Sequence, residues 1–234
     1  MRCIGVDGCR AGWFAVARAQ GGGFSFDVHA EPRALIAACA DARVIAVDVP
    51  IGLAERGPRA PDRAARAFVG PRRSASIFSA PVRGVLGATT YAEALRLHRQ
   101  LDDGRGLSAQ AFGILPKIRA WDDALRDDAD ARARVFEIHP EVSFAALDGG
   151  GGLAAGKKTA EGRERRIALL GRVFDAAAVH AVLAAVPRRL AAADDVLDAF
   201  AALWSAERIA KGVACTLPSI PAVDCNGWSV AIHY

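Results

Sequence analysis

The sequence predicts an α/β fold: a mixed five-stranded sheet of three antiparallel strands followed by parallel ones, flanked by helices, with a helical insertion after the fourth strand. Three observations carry this expectation. Three short apolar segments open the chain and are joined by glycine-rich turns, which reads as an antiparallel meander. Arg43 to Val49 is a continuous β-branched run, as expected of a strand buried on both faces. A helical, Arg-rich stretch from about Ala54 to Arg134 then separates that run from the next apolar segment.

In order, Ile4 to Asp7, Trp13 to Ala19 and Phe24 to His29 form the meander, turning at Gly8 to Gly12 and at Gly21-Gly22-Gly23. Pro32 opens a helix through Ala40, since proline is pre-organised for the first helical position. Val135 to His139 reads as a fifth strand ending before Pro140, because the residue before proline avoids the helical region. Helices are expected at Arg163 to Phe174, Ala176 to Ala185 and Asp194 to Lys211, and Trp228 to Tyr234 is expected to add a last edge strand. With 234 residues, 52% of them hydrophobic, the chain can bury a large core. It is read as one domain, residues 1–234, because its acidic segments lie at opposite ends.

Composition excludes several classes. The start lacks a secretory apolar region, and the best apolar run, Ala176 to Val186, is interrupted by His180. A cytoplasmic protein without a membrane partner is expected. Cys3, Cys9, Cys39, Cys215 and Cys225 form no CxxC pair and leave one over, which argues for reduced thiols rather than a zinc ribbon or a disulfide framework. A net charge of +4 permits a nucleic-acid or phosphate partner without requiring one.

The chemistry lies in acidic residues that interrupt apolar segments: Asp7, Asp48 and the Asp195/Asp198 pair. An uncompensated carboxylate in a core costs several kcal/mol, so such residues call for a cation, and Mg²⁺ or Mn²⁺ suits an all-oxygen set. Asp195 and Asp198 are three residues apart on one helix and share a face. If the first and fourth strands are neighbours and this helix crosses them, Asp7, Asp48 and Asp198 converge as metal ligands. Two ions about 3.5–4 Å apart there would stabilise both oxygens of an in-line phosphodiester displacement. Each residue also has a plain structural role open to it. Asp194 is expected to cap the helix N-terminus, Asp195 to complement the helix dipole, and Asp7 and Asp48 to start turns.

Glu137 and His139 share one face of the fifth strand, Glu137 as an extra ligand candidate and His139 as a proton shuttle or an ordinary hydrogen-bonded histidine. Basic residues supply the second signal. Arg10, Arg72, Arg73 and Ser74, with Lys157 and Lys158 on a glycine-rich loop, are candidate phosphate contacts. Arg59 to Arg66 reads equally well as a solvated helix face. Gly151 to Lys157 fits only the first part of a P-loop, since Lys158 stands where Ser/Thr should hold Mg²⁺. No G-x-S-x-G elbow occurs.

Five linked segments resemble the domain of unknown function 429 family: Gly5-Val6-Asp7-Gly8-Cys9-Arg10-Ala11-Gly12-Trp13, Asp48-Val49-Pro50-Ile51-Gly52-Leu53, Arg73-Ser74-Ala75-Ser76-Ile77-Phe78, Glu137-Ile138-His139-Pro140-Glu141 and Asp195-Val196-Leu197-Asp198-Ala199. The resemblance spans nearly the whole chain in order and implies a ribonuclease-H-like fold and a predicted nuclease. Through it, Asp7, Asp48 and Asp195/Asp198 resemble the acidic set of Holliday-junction resolvases, with Asp48 where those enzymes carry Glu. The leading expectation is a metal-dependent nuclease acting on nucleic acid. Two alternatives stand beside it: a non-catalytic ribonuclease-H-like binding or scaffold protein, and a phosphotransferase like actin and the sugar kinases, since Gly5-Val6-Asp7-Gly8 followed by Gly12 also resembles their first phosphate loop. Oligomeric state is left open, a homodimer included.

Overall fold

A computed structural model describes residues 1–234. Strands β1 (Cys3–Cys9), β2 (Gly12–Arg18) and β3 (Phe24–His29) form the expected meander, and helix α1 (Pro32–Ala38) leads into β4 (Val44–Val47). The insertion builds α2 (Ala60–Val69), α3 (Tyr91–Leu101), α4 (Ala109–Arg126) and α5 (Ala129–Arg134), with short 3₁₀ turns at Ser74–Ser76 and Arg83–Val85. Strand β5 (Val135–Glu137) closes a sheet of order β3-β2-β1-β4-β5, in which β1 pairs antiparallel with β2 and parallel with β4, and β4 pairs parallel with β5. The mixed α/β sheet expected from the sequence is therefore present, and its arrangement is that of a ribonuclease-H-like core.

Four elements follow: α6 (Pro140–Leu147), α7 (Ala160–Leu170), α8 (Ala176–Ala185) and α9 (Ala193–Ala210). The chain ends in a hairpin of β6 (Thr216–Val223) and β7 (Ser229–His233). The terminal segment therefore forms a separate two-stranded sheet and does not add the edge strand expected of it. It pairs with β6, which the prolines Pro218 and Pro221 conceal from a strand search, since proline cannot donate to a ladder. Pro140, expected only to stop β5, also starts α6, where its missing N–H is harmless.

Apolar alternation splits the core between the two faces of the sheet. Ile4, Val6, Ala15, Ala17, Ile45, Val47 and Val135 pack with α1 and α4 on one face. Cys3, Cys9, Phe14, Val16, Val44 and Ala46 pack with α7, α8 and α9 on the other. Helix α9 is apolar around most of its surface because it lies between the sheet and outer helices, with Leu197, Phe200, Ala201 and Leu203 almost wholly buried. Its approach to β1 depends on Gly5. A Cβ there would lie 2.1 Å from the Ala199 carbonyl oxygen and 2.2 Å from the Leu203 nitrogen. No helix is long and apolar enough to cross a membrane. All five cysteines are free; Cys3, Cys9 and Cys39 are buried, Cys215 and Cys225 exposed.

Candidate active site

The register of the parallel pair places two carboxylates side by side. Val6 pairs with Val47, so Asp7 and Asp48 follow as neighbours at the C-terminal ends of β1 and β4, where the Asp48 N–H donates to the Val6 carbonyl at 3.1 Å. By alternation both point to the α9 face, with Gly5 and Ala46. Gly5 admits α9 closely enough for buried Asp198 to complete the group. Crevices at the carboxyl ends of parallel strands are the usual binding places of open α/β sheets.

These carboxylates are expensive to hold charged together. Burial, and then the charges of Asp48 and Asp198, raise the Asp7 pKa well above the usual carboxylate range. Burial also raises Asp48, against the lowering influence of His139, Lys157 and a hydrogen bond from Asp7. Asp198 is pushed up to about 7, by burial foremost and by Asp48, with Lys157 opposing. The Lys157 ammonium donates to Asp198 Oδ2 at 2.8 Å and lies 3.9 Å from Asp194 Oδ2. Burial works against this ammonium, but Asp198, Asp7 and Asp48 more than offset it and raise its pKa. An internal cation therefore occupies the acidic corner.

The donor set suits a hard divalent ion: three carboxylates from three elements, destabilised by mutual repulsion that such an ion relieves. No group of three or more His, Cys, Asp or Glu side chains stands already arranged to hold one. Lys157, bonded to Asp198, supplies part of the charge such an ion would bring.

A cleft of about 460 Å³ opens beside this corner, lined by Asp48, His139 and Asp198, by Arg73, Lys157, Lys158 and Thr159, and by Ser76, Phe78, Gln110 and Ile114 of the insertion. His139 caps α6, its Nδ1 accepting from the Glu141 N–H at 3.2 Å. Glu141, named in the sequence only as the last residue of a family segment, is the organiser of the basic rim. It binds Arg166 Nη2 at 2.6 Å and Arg73 Nε at 3.3 Å. Arg73 also donates to the Ala155 carbonyl, and the Gly152 N–H to the Val69 carbonyl at 2.7 Å, so the loop carrying Lys157 is tied to α2. The helix start signalled by Pro140 could have revealed Glu141. Phe78 closes one of the family segments but was given no role, and Gln110 and Ile114 carried no signal, because only the folded insertion brings them to the cleft.

Other expected residues lie elsewhere. Glu137 pairs with Val47 and so faces the opposite side of the sheet from Asp7 and Asp48. There it accepts from buried Arg59 at 2.5 Å and from the Ile51 N–H at 2.7 Å, leaving it a structural ion pair away from the acidic corner. Asp195, not Asp194, caps α9, accepting from the Ala192 N–H at 2.8 Å, because the helix begins earlier than expected. Arg10 and Arg72 are exposed and do not line the cleft, and Ser74 donates to the Pro71 carbonyl at 3.3 Å instead.

Neither the curated proteins nor the solved structures contain a match. The family profile described as "Protein of unknown function (DUF429)" matches residues 5–222, which includes most of β1, every element from β2 to α9 and most of β6. The chain belongs to the DUF429 family.

Proposed function

We propose that this chain is a Mg²⁺- or Mn²⁺-dependent hydrolase of nucleic-acid phosphodiester bonds. One observation carries the reading: Asp7, Asp48 and Asp198, far apart in sequence, meet in one buried corner beside a cleft rimmed by Arg73, Lys157 and Lys158. Structural carboxylates are normally given partners of their own, whereas here Lys157 bonds Asp198 alone and neither Asp7 nor Asp48 has an ion pair. In this reading Asp7, Asp48 and Asp198 hold the ion. When bound, it supplies positive charge to a phosphoryl oxygen and makes an attacking water more acidic.

The chain's own residues do the remainder. Arg73, fixed by Glu141, presents a guanidinium to the cleft, and exposed Lys158 adds a second positive charge for phosphate. His139, whose Nδ1 is occupied by the Glu141 N–H, keeps Nε2 as the atom that can exchange a proton at the cleft.

The contact between Lys157 and Asp198 favours a second reading, a non-catalytic binding protein whose acidic corner is neutralised permanently by the ammonium. Calorimetric titration with Mn²⁺ separates them. The hydrolase reading expects binding by the native chain, its loss in Asp7→Asn and Asp198→Asn, and oligonucleotide cleavage lost in the same variants. Absence of Mn²⁺ binding with oligonucleotide present refutes it.

A further inference from the structure

The cleft is mixed in chemistry. Its lining combines carboxylate and ammonium groups with the apolar side chains of Phe78 and Ile114, and the exposed Gln110 lines it as well. Gln110 and Ile114 are four residues apart on α4 and so share one face over the cleft. Phe78 is half-buried, packed against the core of the α1/α4 face, so its ring is held in place before anything binds. An aromatic held in the same cleft as phosphate-attracting groups is the combination by which proteins grip an unstacked base, since every base has a face to stack and an edge to hydrogen-bond. An amide such as Gln110 can both donate to and accept from such an edge. A volume of about 460 Å³ lies in the range of small-ligand pockets. In an intact duplex the bases are stacked inside, and none can reach Phe78 while its phosphate reaches the carboxylates unless it is first extruded.

Resting on the hydrolase reading, we infer that the cleft takes one unpaired nucleotide, its base on Phe78 and Ile114 and its phosphate toward Arg73, Lys157 and Lys158, so that the substrate is single-stranded nucleic acid. Phe78 and Gln110 are then specificity-determining residues supplied by the insertion.

The test is equilibrium binding of a fluorescent 5′-phosphorylated thymidine tetranucleotide, with a dumbbell duplex closed at both ends as competitor, alongside Mn²⁺ calorimetry of the same proteins. The tetranucleotide is expected to bind at least about tenfold more tightly than the dumbbell. Phe78→Leu is expected to weaken it roughly tenfold, the scale of one lost base stack, while leaving Mn²⁺ affinity unchanged. Gln110→Ala, at an exposed position that cannot disturb folding, is expected to weaken it several-fold. Equal binding of the dumbbell, or tetranucleotide affinity unaltered in both variants, overturns the inference. Failure of the underlying reading looks different. Tetranucleotide binding without Mn²⁺ affinity removes the hydrolase and leaves a single-strand binding cleft, whereas Mn²⁺ binding with dumbbell preference keeps the hydrolase and removes the cleft's proposed occupant.

Discussion

Replacing Lys157 by methionine tests whether its ammonium stands where a divalent ion belongs. The stem's apolar bulk is retained and only the charge leaves. At 2.8 Å, attraction to Asp198 amounts to about 6 kcal/mol at an effective dielectric of about 20 and about 1.5 kcal/mol in bulk water. The Lys157 side chain is 40% exposed, so solvent screening puts the working value near the lower end, about 1.5–2 kcal/mol. A metal ion entering the native corner must displace that contact. Lys157→Met is therefore expected to bind Mn²⁺ roughly ten- to thirtyfold more tightly. The metal-free variant should melt lower than the native chain, because Asp198 loses its partner, and Mn²⁺ should restore it by a larger margin. Calorimetry at about pH 8, where the carboxylates must be empty of protons to bind, reads the affinity. Unchanged or weaker Mn²⁺ binding in this variant refutes the idea that lysine and metal compete for one place.

Three further predictions follow from the same geometry. Burial and mutual repulsion raise Asp7, Asp48 and Asp198 above the usual carboxylate range in the folded chain, Asp198 to about 7, so protonation favours folding fully below about pH 4 and the Asp198 share of that benefit is lost as pH rises through about 7. Without divalent ions the melting temperature should fall between about pH 5 and about pH 8, and Mg²⁺ should flatten that slope; a flat profile in EDTA counts against mutual repulsion in the corner. Arg59→Met leaves Glu137 buried without its ion partner and is expected to destabilise by about 3–5 kcal/mol in denaturant titration, while Mn²⁺ affinity of the folded fraction stays native because this pair lies on the opposite face; altered affinity would return Glu137 to the site. Gly5→Ala places a methyl group against α9 backbone and is expected to cost about 3 kcal/mol or more, with Mn²⁺ binding weakened together with stability; a variant of native stability contradicts the close crossing of β1 by α9.

Strand positions in the first fifty residues were readable because their signal is local: alternation, β-branching and glycine turns fix both the extent of β1 to β4 and the faces they bury. The convergence of Asp7, Asp48 and Asp198 was also readable, since it needs only neighbouring parallel strands and a helix laid across them. Glu137 was named an extra ligand candidate with no signal for which side of the sheet it joins, because side-chain direction on β5 depends on its register with β4, and a one-residue shift reverses it. Strand β6 escaped because its pairing with β7 is non-local and interrupted between Leu217 and Ala222. The basic rim was half legible. Sequence proximity favoured Arg72 and Arg73 alike, but only Arg73 is turned inward, by a carboxylate 68 residues further along the chain.

The division of labour around the cleft separates two kinds of inheritance. The carboxylates stand on strand ends and a helix of the framework, where any displacement would be felt across both faces of the sheet. Phe78, Gln110 and Ile114 stand on the insertion, where Gln110 is exposed and can be replaced without touching the α4 residues that pack on the sheet. A lineage built on this plan can keep its acidic corner and change what the cleft admits through the exposed and half-buried lining positions Phe78, Gln110 and Ile114, so that diversity among such chains should concentrate there.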